Sequence, residues 1–277
     1  MTKLDRRSAF KLLGATAGLG LAGAASADGM DKGFAKGHRK FVLIHGAWHG
    51  GFAWDGVGQR LRNAGHEVEA PTLPGMNPGD NRFGIQFSDY VEAVVDVLKQ
   101  QDTRVILVGH SSAGMLLQAA APRVAKAIDL VVFSNAFVVA NGQSQLDNIP
   151  AEAAAGLTAL SQTTNDGTIP VEPLDGFFRG ALMEGDPVAA QDALLQLLQP
   201  QPFSLLSGTV DTDRFEKLDV RKAVLLCLRD HSADYLGMAA RLGDYRVVTA
   251  DGSHEMLFAD PAGYAHALLK VVASAPR

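Results

Sequence analysis

The chain has 277 residues, 47% of them hydrophobic, and a formal charge of −5 from 25 Lys and Arg against 30 Asp and Glu. Without a basic run it has no electrostatic footprint for nucleic acid or an anionic lipid surface, so its expected partner is a small molecule. Its single cysteine, Cys227, cannot form an internal disulfide, and the fold must rest on its core.

Arg6-Arg7 precedes a Gly- and Ala-rich apolar stretch from Leu12 to Ala25, which ends in the small-residue pattern Ala25-Ser26-Ala27. This is the layout of an export signal of the twin-arginine type, although Phe10 stands one place later than is usual. The apolar stretch of about 14 positions is too short for the roughly 20 residues that span a bilayer. Residues 1–27 are therefore expected to be cleaved, leaving no stable membrane span and a mature protein that is periplasmic or secreted. Cleavage removes Lys3, Arg6, Arg7 and Lys11 with one acid, Asp5, so the remainder is more acidic still. Residues 28–39 read as a flexible spacer and residues 40–277 as one domain with an insertion.

Phe41-Val42-Leu43-Ile44 is a continuous apolar run, as in a strand buried on both faces of a parallel sheet. It enters the turn His45-Gly46-Ala47-Trp48-His49-Gly50-Gly51. A helix from about Trp54 to Asn63 and a strand over His66–Ala70 follow. Ser88 then reads as the cap of a helix carrying Val91, Val94, Val95 and Leu98 at helical spacing. Strands are expected at Val105–Val108 and Ile128–Phe133. From about 135 to 219 the alternation breaks into helical pieces without a convincing strand, which reads as a helical cap. Val224–Leu228 and Tyr245–Ala250 restore the strands, and Asp260-Pro261 opens the last helix. Strands alternating with helices predict a mostly parallel α/β sheet with helices on both faces.

The run Val105–Val108 stops at Gly109-His110-Ser111-Ser112-Ala113-Gly114. A serine at a sharp strand-to-helix turn needs small residues two places before and after it, and Gly109 and Ala113 fill those places around Ser111. Ser112 competes, but it puts the bulky His110 two places before it. A serine hydroxyl needs an imidazole to take its proton and a carboxylate to orient that imidazole. In the order nucleophile, acid, histidine, His254 follows the final strand and Asp230 the one before it, with Asp234 as the rival acid. His45, His49, His110, His231 and His266 read as structural or exposed. The oxyanion donors expected are the amides of Ser112 and Ala47. No Cys/His cluster has ligand spacing and no dinucleotide fingerprint is present, so no metal or cofactor is expected.

Phe41–Gly51 with Trp54, Ala64-Gly65-His66, Ala70–Gly75, Gly109-His110-Ser111 and Gly252–Met256 resemble the α/β-hydrolase superfamily. The nearest branch holds plant methylesterases of the salicylate-esterase type, hydroxynitrile lyases and bacterial relatives. The resemblance implies an α/β-hydrolase fold with Ser111, His254 and Asp230 as triad and Ala47 and Ser112 as oxyanion hole. It implies a small-molecule ester as substrate, and relatives that are often homodimers. A lactone or an amide is an alternative substrate, and members of the superfamily also act as cofactor-free oxygenases or peroxidases or as ligand-binding receptors. Hydroxynitrile lyases of this branch carry a lysine after the histidine, where this chain has Glu255, an acid expected to repel cyanide. Trp48, Phe137, Phe177, Phe178 and Met183, with Leu182, Phe203, Leu205 and Leu206, are candidates to line an apolar pocket for an aromatic or medium-chain group.

Overall fold

The computed structural model describes residues 37–275, so the expected export signal and most of the spacer lie outside the described residues. Strand β1 (Lys40–Ile44) leads through a short 3-10 turn into α1 (Asp55–Asn63) and β2 (Glu67–Glu69). Next come α2 (Phe87–Lys99), β3 (Val105–His110), α3 (Ala113–Ala120) and β4 (Ile128–Ser134). The insertion carries α4 (Ala151–Ser161), β5 (Thr168–Ile169), α5 (Val188–Leu195) and β6 (Gln201–Pro202). The chain closes with β7 (Arg221–Cys227), α6 (Tyr235–Ala239), β8 (Arg246–Ala250) and α7 (Pro261–Ser274).

Six strands form one sheet in the order β2-β1-β3-β4-β7-β8, and every pair is parallel. Phe41 to Ile44 and Val105 to Val108 are buried, which is why both strands read as unbroken apolar runs. The chain steps outward from β1 to β2 and then returns past β1 to β3 and onward. With right-handed crossovers this puts α1 on one face and α2 and α3 on the other. Helix α7 packs on α1 and against β7 and β8. The reversal leaves a crevice between the carboxyl ends of β1 and β3, the place where open α/β sheets bind ligands.

Two local expectations are corrected. Helix α2 is capped by Gln86, whose amide donates to the Asp89 carboxylate at 2.8 Å, and Ser88 is already inside the helix. The insertion also holds a strand pair, β5 antiparallel to β6. Each strand is two residues long and one contains Pro202, too short to show a period of two. Among the described residues no helix is long and apolar enough to cross a membrane.

Candidate active site

At the crevice Ser111 sits between β3 and α3 with φ 56°, a left-handed conformation that a serine rarely adopts. Its amide donates to the Ser134 carbonyl, and its carbonyl accepts from the amides of Gly114 and Phe137. The turn is thus held by β4 and the start of the insertion. A Cβ on Gly114 would meet the Phe137 carbonyl oxygen at 2.3 Å, so this glycine serves the Phe137 segment. Ser112 caps α3 in a right-handed conformation, fully buried, and its hydroxyl has no hydrogen-bond partner among the described residues. Ser111, by contrast, lines the main cavity.

The loop after β1 runs against this turn: a Cβ on Gly46 would lie 2.8 Å from the Ser111 Cβ. The three peptides between Gly46 and His49 are pinned. His45 Nε2 accepts the Leu73 amide at 3.0 Å, which leaves Nδ1 as the donor to the Gly46 carbonyl at 2.8 Å. Burial pushes the His45 ring down to about 3, so it is neutral. His49 Nδ1 donates to the Ala47 carbonyl at 2.7 Å. Trp48, with φ 63°, is gripped by the cap on three sides. Its amide donates to Gln201 Oε1 at 2.9 Å, its carbonyl accepts from the Gln199 amide, and its indole Nε1 donates to the Ile169 carbonyl at 3.2 Å.

His254 and Asp230 come from the loops after β8 and β7. His254 Nδ1 donates to Asp230 Oδ2 at 2.5 Å, which leaves Nε2 of the neutral ring without a proton. The same Oδ2 accepts from Asn135 Nδ2 at 2.6 Å, and Oδ1 accepts the amide and hydroxyl of Ser232. Burial alone would raise the Asp230 carboxyl, but His254 and the hydrogen bonds from His254 and Ser232 outweigh it and hold the group below its usual range. Burial alone would lower the His254 ring, but Asp230, and after it Glu255, hold it above its usual value. Tyr235 stacks on His254 with centroids 5.8 Å apart, and His110 Nε2 donates to the His254 carbonyl at 3.0 Å. Asp234, the rival acid, caps α6 by accepting the Gly237 amide. Of the other histidines, His231 is exposed and His266 lies within α7.

Asn135 was not legible as a partner of the acid. Its signal is its own φ of 38° and its place at the end of β4, where its side-chain oxygen also accepts the Cys227 amide at 2.6 Å. Nor was Asp186. This buried cap carboxylate accepts from the Ser253 hydroxyl at 2.5 Å and lies 3.4 Å from Arg229, so it ties the loops of His254 and Asp230 to the cap.

Glu255 is fully buried and lies 3.2 Å from His49 Nε2, an ion-pair distance without hydrogen-bond alignment. It is not part of the cavity wall, so the expected repulsion of cyanide is not a pocket contact. The absence of a lysine after His254 stands.

The cavity has a volume of about 590 Å³ and contains Ser111 and His254 in its wall. Of the expected lining residues, Trp48, Phe137, Phe177 and Leu182 contribute. Phe178 and Met183 do not: both are fully buried, and Phe178 packs edge-on behind Trp48 at 5.6 Å. Leu205 and Leu206 are likewise core, and Phe203 packs against it. The wall is completed by α4 with Ala153, Gly156, Leu157 and Leu160. Among the described residues no three His, Cys, Asp or Glu are grouped to hold a metal ion.

A parallel sheet with a strained serine at the β1/β3 crevice, and a histidine–aspartate pair on the loops after the last two strands, defines a hydrolase architecture. The chain belongs to the alpha/beta hydrolase family, whose model matches residues 41–267. It is 36% identical over 174 residues to a carbendazim hydrolyzing esterase from Nocardioides sp. (strain SG-4G), a match spanning 62% of this chain and 63% of that protein. To salicylic acid-binding protein 2 of Nicotiana tabacum it is 32% identical over 194 residues, 67% of this chain and 71% of the other. A solved extracellular alpha/beta-hydrolase from a Paenibacillus species, described as sharing structural and functional homology with the tobacco protein, superposes with a TM-score of 0.78. There the identity is 29%, covering 84% of this chain and 98% of the other.

Proposed function

We propose that the protein is a carboxylic ester hydrolase, a serine esterase acting on neutral apolar or aromatic esters. The observation that carries this reading is the His254–Asp230 hydrogen bond at 2.5 Å beside a cavity that also exposes the strained Ser111. The esterase names of relatives support the reaction class.

In this reading Ser111 Oγ attacks the ester carbonyl while His254 Nε2 takes its proton, and Asp230 stabilises the imidazolium. The amides of Ser112 and Ala47 receive the charge that develops on the carbonyl oxygen; such donors are typically worth about 10² to 10³ in rate. The hydrogen bond from His45 to the Gly46 carbonyl orients the peptide whose N–H is that of Ala47. His254 then protonates the leaving alcohol, and a water molecule, activated by the same ring, releases the acid. The cavity falls within the range of small-molecule sites and is largely apolar, which supports aromatic or medium-chain groups. We further propose, from the Arg6-Arg7 segment, that the enzyme works after export.

Hydrolysis of a panel of p-nitrophenyl and methyl aryl esters tests this, with Ser111→Ala and Ser112→Ala alongside the unmodified chain. Activity that disappears only with Ser111→Ala is the expected result. Loss with Ser112→Ala instead would move the nucleophile by one place and void the oxyanion assignment. A folded wild type that hydrolyses none of the panel removes the esterase reading.

A further inference from the structure

Gln145 stands just before the short 3-10 turn Leu146–Asn148, where the chain enters the cap, and its side chain lines the cavity. The residue is 6% exposed. Its Oε1 is buried with no hydrogen-bond partner, and among the described residues the side-chain amide makes no hydrogen bond. The other polar groups of the wall are committed. The Thr163 hydroxyl donates to the Leu160 carbonyl, Ser232 to Asp230, and the Trp48 indole to Ile169. Ser111 and His254 belong to the reaction. No Asp, Glu, Lys or Arg lines the cavity.

A buried amide oxygen without a partner is destabilising, so a ligand group that reaches it from the cavity gains a hydrogen bond that the folded protein does not already use. The local backbone does not need it. Ser144 is held by the Asp147 carboxylate through both amide and hydroxyl, and Asn148 Nδ2 donates to the Ser144 carbonyl. Arg241 in turn donates to Asn148 Oδ1 at 2.7 Å. That network sets the loop from both sides of Gln145 while leaving its side chain out.

Resting on the esterase reading, we infer that Gln145 is a specificity residue, and that the substrate is a neutral, largely apolar ester carrying one hydrogen-bonding group away from the ester itself. The amide can turn over in place, so it offers either its oxygen to a hydroxyl or N–H or its nitrogen to a carbonyl or ring nitrogen. An ester lacking such a group binds with the amide still unpartnered, which is the situation in which polar sites discriminate most strongly.

The test uses matched esters. 4-Nitrophenyl 3-phenylpropanoate is compared with its ring-hydroxylated and ring-acetamido derivatives at each position, and benzyl acetate with the same substituents covers the alcohol side. For the wild type, the best substituted member is expected to exceed its parent in kcat/KM on the order of 10- to 100-fold. Gln145→Leu should erase that preference, so that substituted and parent esters have equal kcat/KM within the variant, with Tm unchanged or raised because an unpartnered polar group is gone. Binding of the same pairs to Ser111→Ala protein, measured by calorimetry, should show the same preference without turnover. A wild type that treats parents and derivatives alike overturns the role of Gln145, as does a Gln145→Leu variant that slows every ester equally or melts lower. Absence of Ser111-dependent turnover with the binding preference intact overturns the esterase reading instead.

Discussion

Ser112 holds a hydroxyl at zero exposure with no partner among the described residues, one place from the strained Ser111. Ser112→Ala should therefore keep full esterase activity and an equal or higher melting temperature. Ser111→Ala should lose on the order of 10⁶ in kcat, the scale known for another serine hydrolase. At the acid, Asp230→Asn presents an amide to His254 Nδ1 and favours the wrong tautomer; a drop of about 10⁴ in kcat is expected, following the equivalent change in a serine protease. With the His254 ring raised, the rise of kcat/KM with pH should fall above the ordinary histidine value, since the proposed base must be neutral. Glu255 contributes to that shift through its charge, so Glu255→Gln should move the inflection to lower pH. An unmoved inflection would show that the buried carboxylate does not reach the ring.

The contrast between legible and illegible features is clearest at the level of elements. The central strands β1, β3 and β4 were readable because they are buried on both faces and so carry nearly unbroken apolar runs, whereas the edge strands β2 and β8 are largely exposed. The turn at Ser111 was readable because its geometry restricts the neighbours at Gly109 and Ala113. Asp230 and His254 could be picked out by chain order, each after a strand, and the structure sets them 2.5 Å apart. The cap was opaque for a physical reason. Helix α4, AEAAAGLTALS, is apolar without a clear stripe and largely exposed, because much of its surface faces the cavity. Pocket-lining and core residues there have the same composition, so Phe178 and Met183 could not be told from Phe177 and Leu182. The two-residue strands β5 and β6 left no pattern, yet they hold Trp48 in its left-handed conformation. Gln201→Ala should release the Trp48 amide and let the oxyanion turn relax. The expected effect is a fall of about tenfold or more in kcat with little change in KM, a fraction of the 10² to 10³ carried by a whole donor. An equal rise in KM with kcat intact would assign Gln201 to the pocket wall instead.

For the molecule as a whole, the buried charges set how it meets acid. Burial alone would raise the Glu255 carboxyl, but His49 first, with His110 and His254, holds it down at about 2. Asp230 lies below its usual range as well. A carboxyl depressed in the folded state contributes stability above its unfolded value, and that contribution is lost as pH falls toward the folded one. The urea midpoint should therefore drop between about pH 4.5 and pH 2, and more steeply for the wild type than for Glu255→Gln, followed by intrinsic fluorescence. Cys227 stays a protonated thiol at neutral pH, because burial pushes it up to about 12.

The order in which the parts of the site occur along the chain has a consequence for synthesis. The turn at Ala47 and the proposed nucleophile Ser111 follow the adjacent strands β1 and β3, whereas His254 follows the edge strand β8, more than 140 residues later in the sequence. A chain emerging from the ribosome therefore holds Ser111 and the Ala47 turn long before it holds the histidine proposed to activate the serine. In the proposed reaction, hydrolysis waits for β8 to join β7, because that pairing sets the start of the loop that carries His254. Chains cut before β8 are accordingly expected to show no Ser111-dependent ester hydrolysis.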